Sequence, residues 1–229
     1  MIHKIRIWDL PTRLFHWGLV LCVIGLFVTG KVGGDAMRWH FWLGYTVLAL
    51  VLFRIVWGFV GGYWSRFVQF FPTPARLLSY LKGQARPEDK AGHNPLGAGS
   101  VFALLLLMAA QAGTGLFTWD EISNAGPLSG VVSDDMVSLL TGLHANWGQY
   151  LIIAFVALHV LAIIAYAVRK HSMVWPMIVG DKQIDADLPS ARDTAGTRLR
   201  ALIVLVMTSA AVWALVSWGN AQGTAGFSY

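Results

Sequence analysis

Five stretches of this 229-residue chain, at 14–29, 39–60, 96–118, 143–168 and 199–218, are apolar almost without interruption. A bilayer core about 30 Å thick takes roughly 20 such residues as helix. Backbone groups in lipid must pair within their own segment or in a closed barrel, and runs this long lack the alternation of barrel strands. The expected class is an all-α integral membrane protein. Composition agrees, with 56% hydrophobic residues and only 13% charged.

Membrane lipid is thus the first expected partner. The net charge of +5 does not mark a nucleic-acid face, because the basic residues sit in connections beside apolar spans. Cys22, the only cysteine, lies in an apolar run and reads as packing. A single thiol excludes an internal disulfide and any four-thiolate centre.

Lys and Arg collect on one side. The N-terminus carries Lys4, Arg6 and Arg13, and the second connection carries Arg66, Arg76, Lys82, Arg86 and Lys90. The fourth connection carries Arg169, Lys170, Lys182, Arg192, Arg198 and Arg200. Opposite them stand only Lys31 and Arg38, with Asp120, Glu121, Asp134 and Asp135 in the third connection. The positive-inside rule therefore expects a multi-pass protein with its N-terminus in the cytoplasm and the uncharged tail 219–229 outside. The opening has no cleavable-signal pattern, so the first span is expected to direct insertion. Stretches 72–74, 92–99 and 124–130 read as loops or helix starts.

Four histidines lie inside these spans: His16, His40, His144 and His159. Ionisable side chains at membrane depth are expensive and mark functional sites by default. With alternating spans, His16 and His159 fall toward the cytoplasm, and His40 and His144 toward the outside. His144 and His159 share one span, about 22 Å and roughly 60° apart on a helix. The depth-matched pairs are His16 with His159 and His40 with His144. Two histidines at each of two depths suit two axially ligated haems with no open coordination position. The ordinary alternative for any single one is a hydrogen-bonded packing histidine. A zinc or di-iron site would want clustered histidines with carboxylates close by, and no span has an Asp or Glu in its interior. H-x-x-x-G recurs at His40/Gly44 and His144/Gly148, where a glycine lets a flat macrocycle approach.

Arg54 interrupts an apolar run, about 21 Å and roughly 40° from His40 along a helix. It is a candidate partner for a haem propionate, as are Arg13 and Arg38, with snorkelling to the interface the alternative for each. His3 and His171 are expected to be solvated. Interfacial solvation is also expected for His93, ahead of a propionate contact or a proton relay. The eleven Trp read as an interfacial belt, with Trp17, Trp39, Trp42 and Trp147 beside the ligands as candidates to pack on porphyrin edges.

The run WDLPTRLFHW from Trp8 to Trp17, GHNPLG from Gly92 to Gly97, and the pairs Leu143-His144 and Leu158-His159 resemble the prokaryotic cytochrome b561 family. That family includes the b-type cytochrome subunits of nickel–iron hydrogenases. The resemblance covers about residues 5–180. It implies a four-helix transmembrane bundle holding two haems b, with His16, His40, His144 and His159 at the ligand positions. A fifth C-terminal helix lies outside the matched core, giving an expected division into 1–180 and 181–229.

The expected function is electron transfer across the membrane between the quinone pool and a redox partner, either a periplasmic c-type cytochrome or a hydrogenase. One alternative is a stand-alone superoxide:quinone oxidoreductase, for which Lys31 and Arg38 are the only outer cations. Another is a non-redox, His-lined transporter. Oligomeric state is open, a homo-oligomer included.

Overall fold

The computed structural model describes residues 2–225. Capping chemistry decides where its helices begin. Helix α1 (Leu10–Val32) starts on Asp9, whose carboxylate accepts the Thr12 N–H at 2.9 Å, with Pro11 in the first turn. It stops where Gly33 takes φ +68° and donates to the Thr29 carbonyl at 3.0 Å. Helix α2 (Met37–Val60) follows, then short helices α3 (Phe67–Phe70), α4 (Pro74–Leu81) and α5 (Pro87–Ala91). Thr73 caps α4 ahead of Pro74. Asn94 caps α6 (Pro95–Gly115) by accepting the Gly97 N–H at 2.8 Å, again ahead of a proline. The GHNPLG run is therefore a helix start.

Helix α7 (Asp134–Gly142) passes through a π-helical turn, Leu143–Gly148, into α8 (Gln149–Val168). Helix α9 (Val174–Val179) and helix α10 (Ala195–Ala225) complete the order. Five helical segments are long and apolar enough to cross a membrane: Leu10–Val32, Gly34–Val60, Pro95–Gly115, Asp134–Val168 and Ala195–Gln222. The protein is an all-α integral membrane protein. In the first and fourth of these, only 6% of the most apolar window is buried. Apolar surface on that scale needs a non-aqueous neighbour.

Several boundaries differ from the apolar runs. The first span begins at Leu10 and so contains Arg13. The fourth begins at Asp134, with two carboxylates in the first turn, where the helix dipole favours them. The fifth runs past 218 into the 219–229 tail as helix; residues 226–229 lie outside the described residues. Apolarity marks what faces lipid, whereas caps mark where the helix begins.

The chain divides into two compact units. The first takes residues 2–17, 54–104 and 155–204. It contains an element absent from the all-helical expectation: strand β1 (His3–Arg6) pairs antiparallel with β2 (Asp181–Ile184), Arg6 opposite Asp181. The division expected at 180 is crossed by this sheet. Beneath it Ile5, Ile7 and Trp8 pack with Trp64, Ala91, Ile184 and Ala191. Cys22 is buried, as expected of a packing residue, while His3 and His171 are exposed.

Arg6 ties the sheet down, its Nε donating to Asp181 at 2.8 Å and its Nη1 to Asp193 at 3.0 Å. The Arg6 hydrogen bond holds the Asp181 carboxyl below its ordinary value, outweighing burial, which pulls the other way. A carboxylate lowered in the folded state adds stability above its unfolded pKa of about 3.9 and loses it as pH falls through the folded value. Corrected hydrogen-exchange protection at 3–6 and 181–184 is therefore expected to hold at pH 7 and to fall below about pH 4. Asp181→Asn should lower it at pH 7; equal protection in the variant would contradict the assignment.

The second unit takes residues 18–53, 105–154 and 205–225. Val212 and Val216 of α10 pack there on Ala49, Leu116 and Leu128, and Trp213 stacks on Trp42 at 6.2 Å. A Cβ on Gly219 would meet Leu128 Cδ2 at 2.6 Å, so this helix seats closely on the 127–128 turn. The fifth helix is thus a packing element of this unit.

Candidate functional site

Each unit brings two of the four span histidines together. In the first, His16 of α1 and His159 of α8 have ring centroids 6.5 Å apart and planes at 51°. In the second, His40 of α2 and His144 of the π turn are 6.2 Å apart at 85°. Two imidazoles bound on opposite sides of one metal, with nitrogen about 2.0 Å from it and about 1.1 Å from each ring centre, are separated by roughly 6.3 Å. Both pairs fit that spacing. Among the described residues no group of three or more His, Cys, Asp or Glu gathers, so each pair offers two nitrogens, as an axial pair does.

The surroundings of the His40–His144 pair fix its tautomers. His40 Nδ1 lies 3.1 Å from the Leu26 carbonyl, and His144 Nδ1 lies 2.9 Å from the Gln111 carbonyl. A carbonyl only accepts, so both Nδ1 atoms carry the proton and both Nε2 atoms keep the lone pair that a metal takes. The Gln111 side-chain amide donates to the His144 carbonyl at 2.9 Å, holding the π turn from a second point. A cavity of about 330 Å³ opens beside these rings, lined by Phe27, Gly30, Gly44, Tyr45 and Gly115 among others.

The two H-x-x-x-G segments diverge here. Gly44 lines the cavity, but Gly148 faces α6, where a Cβ would sit 3.0 Å from Gln111 Cδ. The π turn adds a residue per turn and so rotates Gly148 away from His144. The glycines that make room for the rings are instead Gly30 and Gly115. A Cβ at Gly30 would lie 3.2 Å from His40 Cε1, and one at Gly115 2.8 Å from His144 Cε1. Sequence reasoning missed both. Their signal is a Thr-Gly pair, Thr29-Gly30 and Thr114-Gly115, at the same end of two spans that run the same way.

His16 is placed differently. Its Nδ1 is buried without a hydrogen-bond partner. Trp17 meets its ring edge-on at 5.1 Å and is anchored by donating to the Met177 carbonyl at 3.2 Å. Trp39 and Trp147 are exposed, and Trp42 stacks on Trp213.

Arg54 is 3% exposed, its guanidinium 4.8 Å over the Phe67 ring and 6.0 Å from Phe70. Asp9 is the carboxylate whose charge acts on it. Its Nη1 is buried with no acceptor. A buried charged donor left unpaired is costly, so a carboxylate such as a propionate fits this position. Arg13 donates to the Ile178 carbonyl at 2.5 Å with Asp193 at 3.8 Å, and its Nε is buried with no acceptor. Arg38 is exposed in the first turn of α2.

His93 corrects an expectation. Its ring packs 4.3 Å from Phe70 and 4.7 Å from Trp8, and its Nδ1 is buried without a partner. Burial first, then the positive Arg54 and Arg76, push its pKa down to about 3, so the imidazole is neutral at pH 7. The short helix α3 and the N-terminal segment cover a ring expected to be solvated at the interface.

A family profile described as Prokaryotic cytochrome b561 matches residues 7–180. The chain is 30% identical over 146 residues to a "Probable Ni/Fe-hydrogenase 1 B-type cytochrome subunit" of Escherichia coli (strain K12), a match covering 51% of this chain and 61% of that protein. It is 28% identical over 224 residues to a "Probable Ni/Fe-hydrogenase B-type cytochrome subunit" of Azotobacter vinelandii, covering 81% and 91%. The like-named protein of Rhodobacter capsulatus is 25% identical over 228 residues, covering 80% and 83%. No solved structure matches the chain. Five apolar helices, two histidine pairs and a profile running from the first strand's end to Gly180 agree on one assignment: the chain belongs to the prokaryotic cytochrome b561 family.

Proposed function

We propose that residues 1–180 form a di-haem core, with His16 and His159 as one axial pair and His40 and His144 as the other, that passes electrons across the membrane between the quinone pool and a redox partner. The observation that carries this reading is the ring spacing, 6.5 and 6.2 Å, at two separate pairs. Haem b, when bound, supplies one-electron redox chemistry. Two histidine nitrogens per site would hold each haem iron with no open position, which would favour electron transfer over oxygen chemistry.

The chain's own residues orient and insulate. The Leu26 and Gln111 carbonyls hold the His40 and His144 rings, Arg54 offers its guanidinium to a carboxylate, and the apolar helix faces exclude water. The relatives' printed names point to a nickel–iron hydrogenase as the partner. The charge pattern supports a cytoplasmic N-terminus and a periplasmic C-terminus.

Membranes holding this chain with its hydrogenase are expected to reduce an added quinone with hydrogen, and membranes lacking the chain to leave it oxidised. Equal quinone reduction in both would overturn the proposed role.

A further inference from the structure

The two pairs differ in how their rings are held. On α1 the Leu26 carbonyl takes the His40 Nδ1–H at 3.1 Å, the Thr29 hydroxyl lies 3.3 Å from the same nitrogen, and Gly30 leaves room for the ring. On α6 the Gln111 carbonyl takes the His144 Nδ1–H at 2.9 Å, the Thr114 hydroxyl lies 3.5 Å away, and Gly115 leaves the room. Carbonyl, hydroxyl and glycine recur in the same order, the hydroxyl three residues on and the glycine four. Each threonine hydroxyl donates to the carbonyl four residues back, Thr29 to Gly25 at 2.7 Å and Thr114 to Ala110 at 2.9 Å, with the carbonyl that accepts from histidine as a longer shared acceptor at 3.3 and 3.0 Å. The other pair has no such arrangement at His16, whose Nδ1 is without a partner.

We propose, resting on the axial-ligand reading above, that Leu26, Thr29 and Gly30, and likewise Gln111, Thr114 and Gly115, form matched clamps that hold the His40 and His144 imidazoles crossed and electron-donating, making theirs the more reducing haem site. A hydrogen bond from Nδ1–H to a carbonyl raises the donor strength of Nε2, and this favours ferric over ferrous iron. The bond is stronger in an apolar surrounding than in water. The clamps also set the ring planes at 85°, against 51° for the other pair. Crossed axial planes leave the iron d orbitals nearly degenerate, a state read as a large, highly anisotropic g maximum in electron paramagnetic resonance. The ordering makes electron flow downhill from the His40–His144 site to the His16–His159 site.

The test is a redox titration of the full-length haem-loaded protein, followed by electron paramagnetic resonance. The signal with the larger g maximum is expected to belong to the lower-midpoint haem and to be the one missing from His144→Ala. Gly115→Ala places a methyl 2.8 Å from His144 Cε1 and turns the ring off the Gln111 carbonyl. Its signal should lose anisotropy, and its midpoint should rise toward that of the other haem. Gly113→Ala adds the same methyl to α6 in open space and should change neither. If Gly115→Ala releases the haem, Gly30→Ala, with its looser 3.2 Å contact, carries the same expectation.

A His40–His144 haem that titrates at the higher midpoint, or an unmoved signal in the glycine variant, overturns the clamp alone. Fewer than two haems per chain, or different haems lost from His40→Ala and His144→Ala, overturns the ligand pairing beneath it.

Discussion

Replacing His40 with alanine and replacing His144 with alanine are expected to remove the same haem and to leave the other in place. Their ring centroids are 6.2 Å apart, each ring with Nδ1 committed to a carbonyl, so loss of either leaves one nitrogen where two are required. Haem content per chain should fall from about two to about one in both variants, with the same component of the reduced spectrum missing. His16→Ala and His159→Ala should remove the complementary component. An exogenous imidazole small enough to enter the 330 Å³ cavity should restore the lost component in the alanine variants. Loss of different components from His40→Ala and His144→Ala would contradict the pairing.

Asp9→Ala is the second large effect, and it acts on stability. Asp9 is fully buried, and one carboxylate serves four groups. Oδ1 accepts the Thr12 N–H at 2.9 Å, while Oδ2 accepts from Ser65 Oγ at 2.9 Å and Trp57 Nε1 at 3.3 Å. Its charge also acts on the buried Arg54. Removal uncaps α1, strands buried donors and leaves a guanidinium without its counter-charge, at a cost of about 3–5 kcal/mol. Thermal unfolding in detergent should show a large drop in midpoint for Asp9→Ala. Asp9→Asn keeps the cap and loses the charge, so its drop should be smaller. A loss under about 1 kcal/mol for Asp9→Ala would show that Arg54 and the α1 cap are satisfied elsewhere.

Residues that break a rule of the lipid phase were legible in the sequence. Four histidines and Arg54 in apolar runs are costly wherever they occur, and helical spacing together with the alternating direction of the spans indicates which of them share a depth. The stretch 92–99 was legible as a loop or helix start around Pro95, whereas the cap at Asp9 was missed because apolarity alone placed the first span at 14.

Features built from pairings distant in sequence were hidden. Strand β1 has four residues, and its partner lies some 175 positions on, so neither run carries a pattern of its own. The π turn around His144 has no composition signature, and it is what separates Gly148 from the role of Gly44. Thr29-Gly30 and Thr114-Gly115 gain meaning only when opposed to a histidine from another helix. His93 read as solvated because it opens the third span at the interface, yet Phe70 and Trp8 arrive from elements that only tertiary folding brings there.

The central claim is that two separate histidine pairs each hold one haem by two imidazoles. Haem quantification on the purified chain, combined with near-infrared magnetic circular dichroism of its oxidised form, tests it most directly. The account predicts two b-type haems per chain, both low-spin with bis-imidazole charge-transfer bands. One haem per chain, or a high-spin centre with an open axial position, would contradict it.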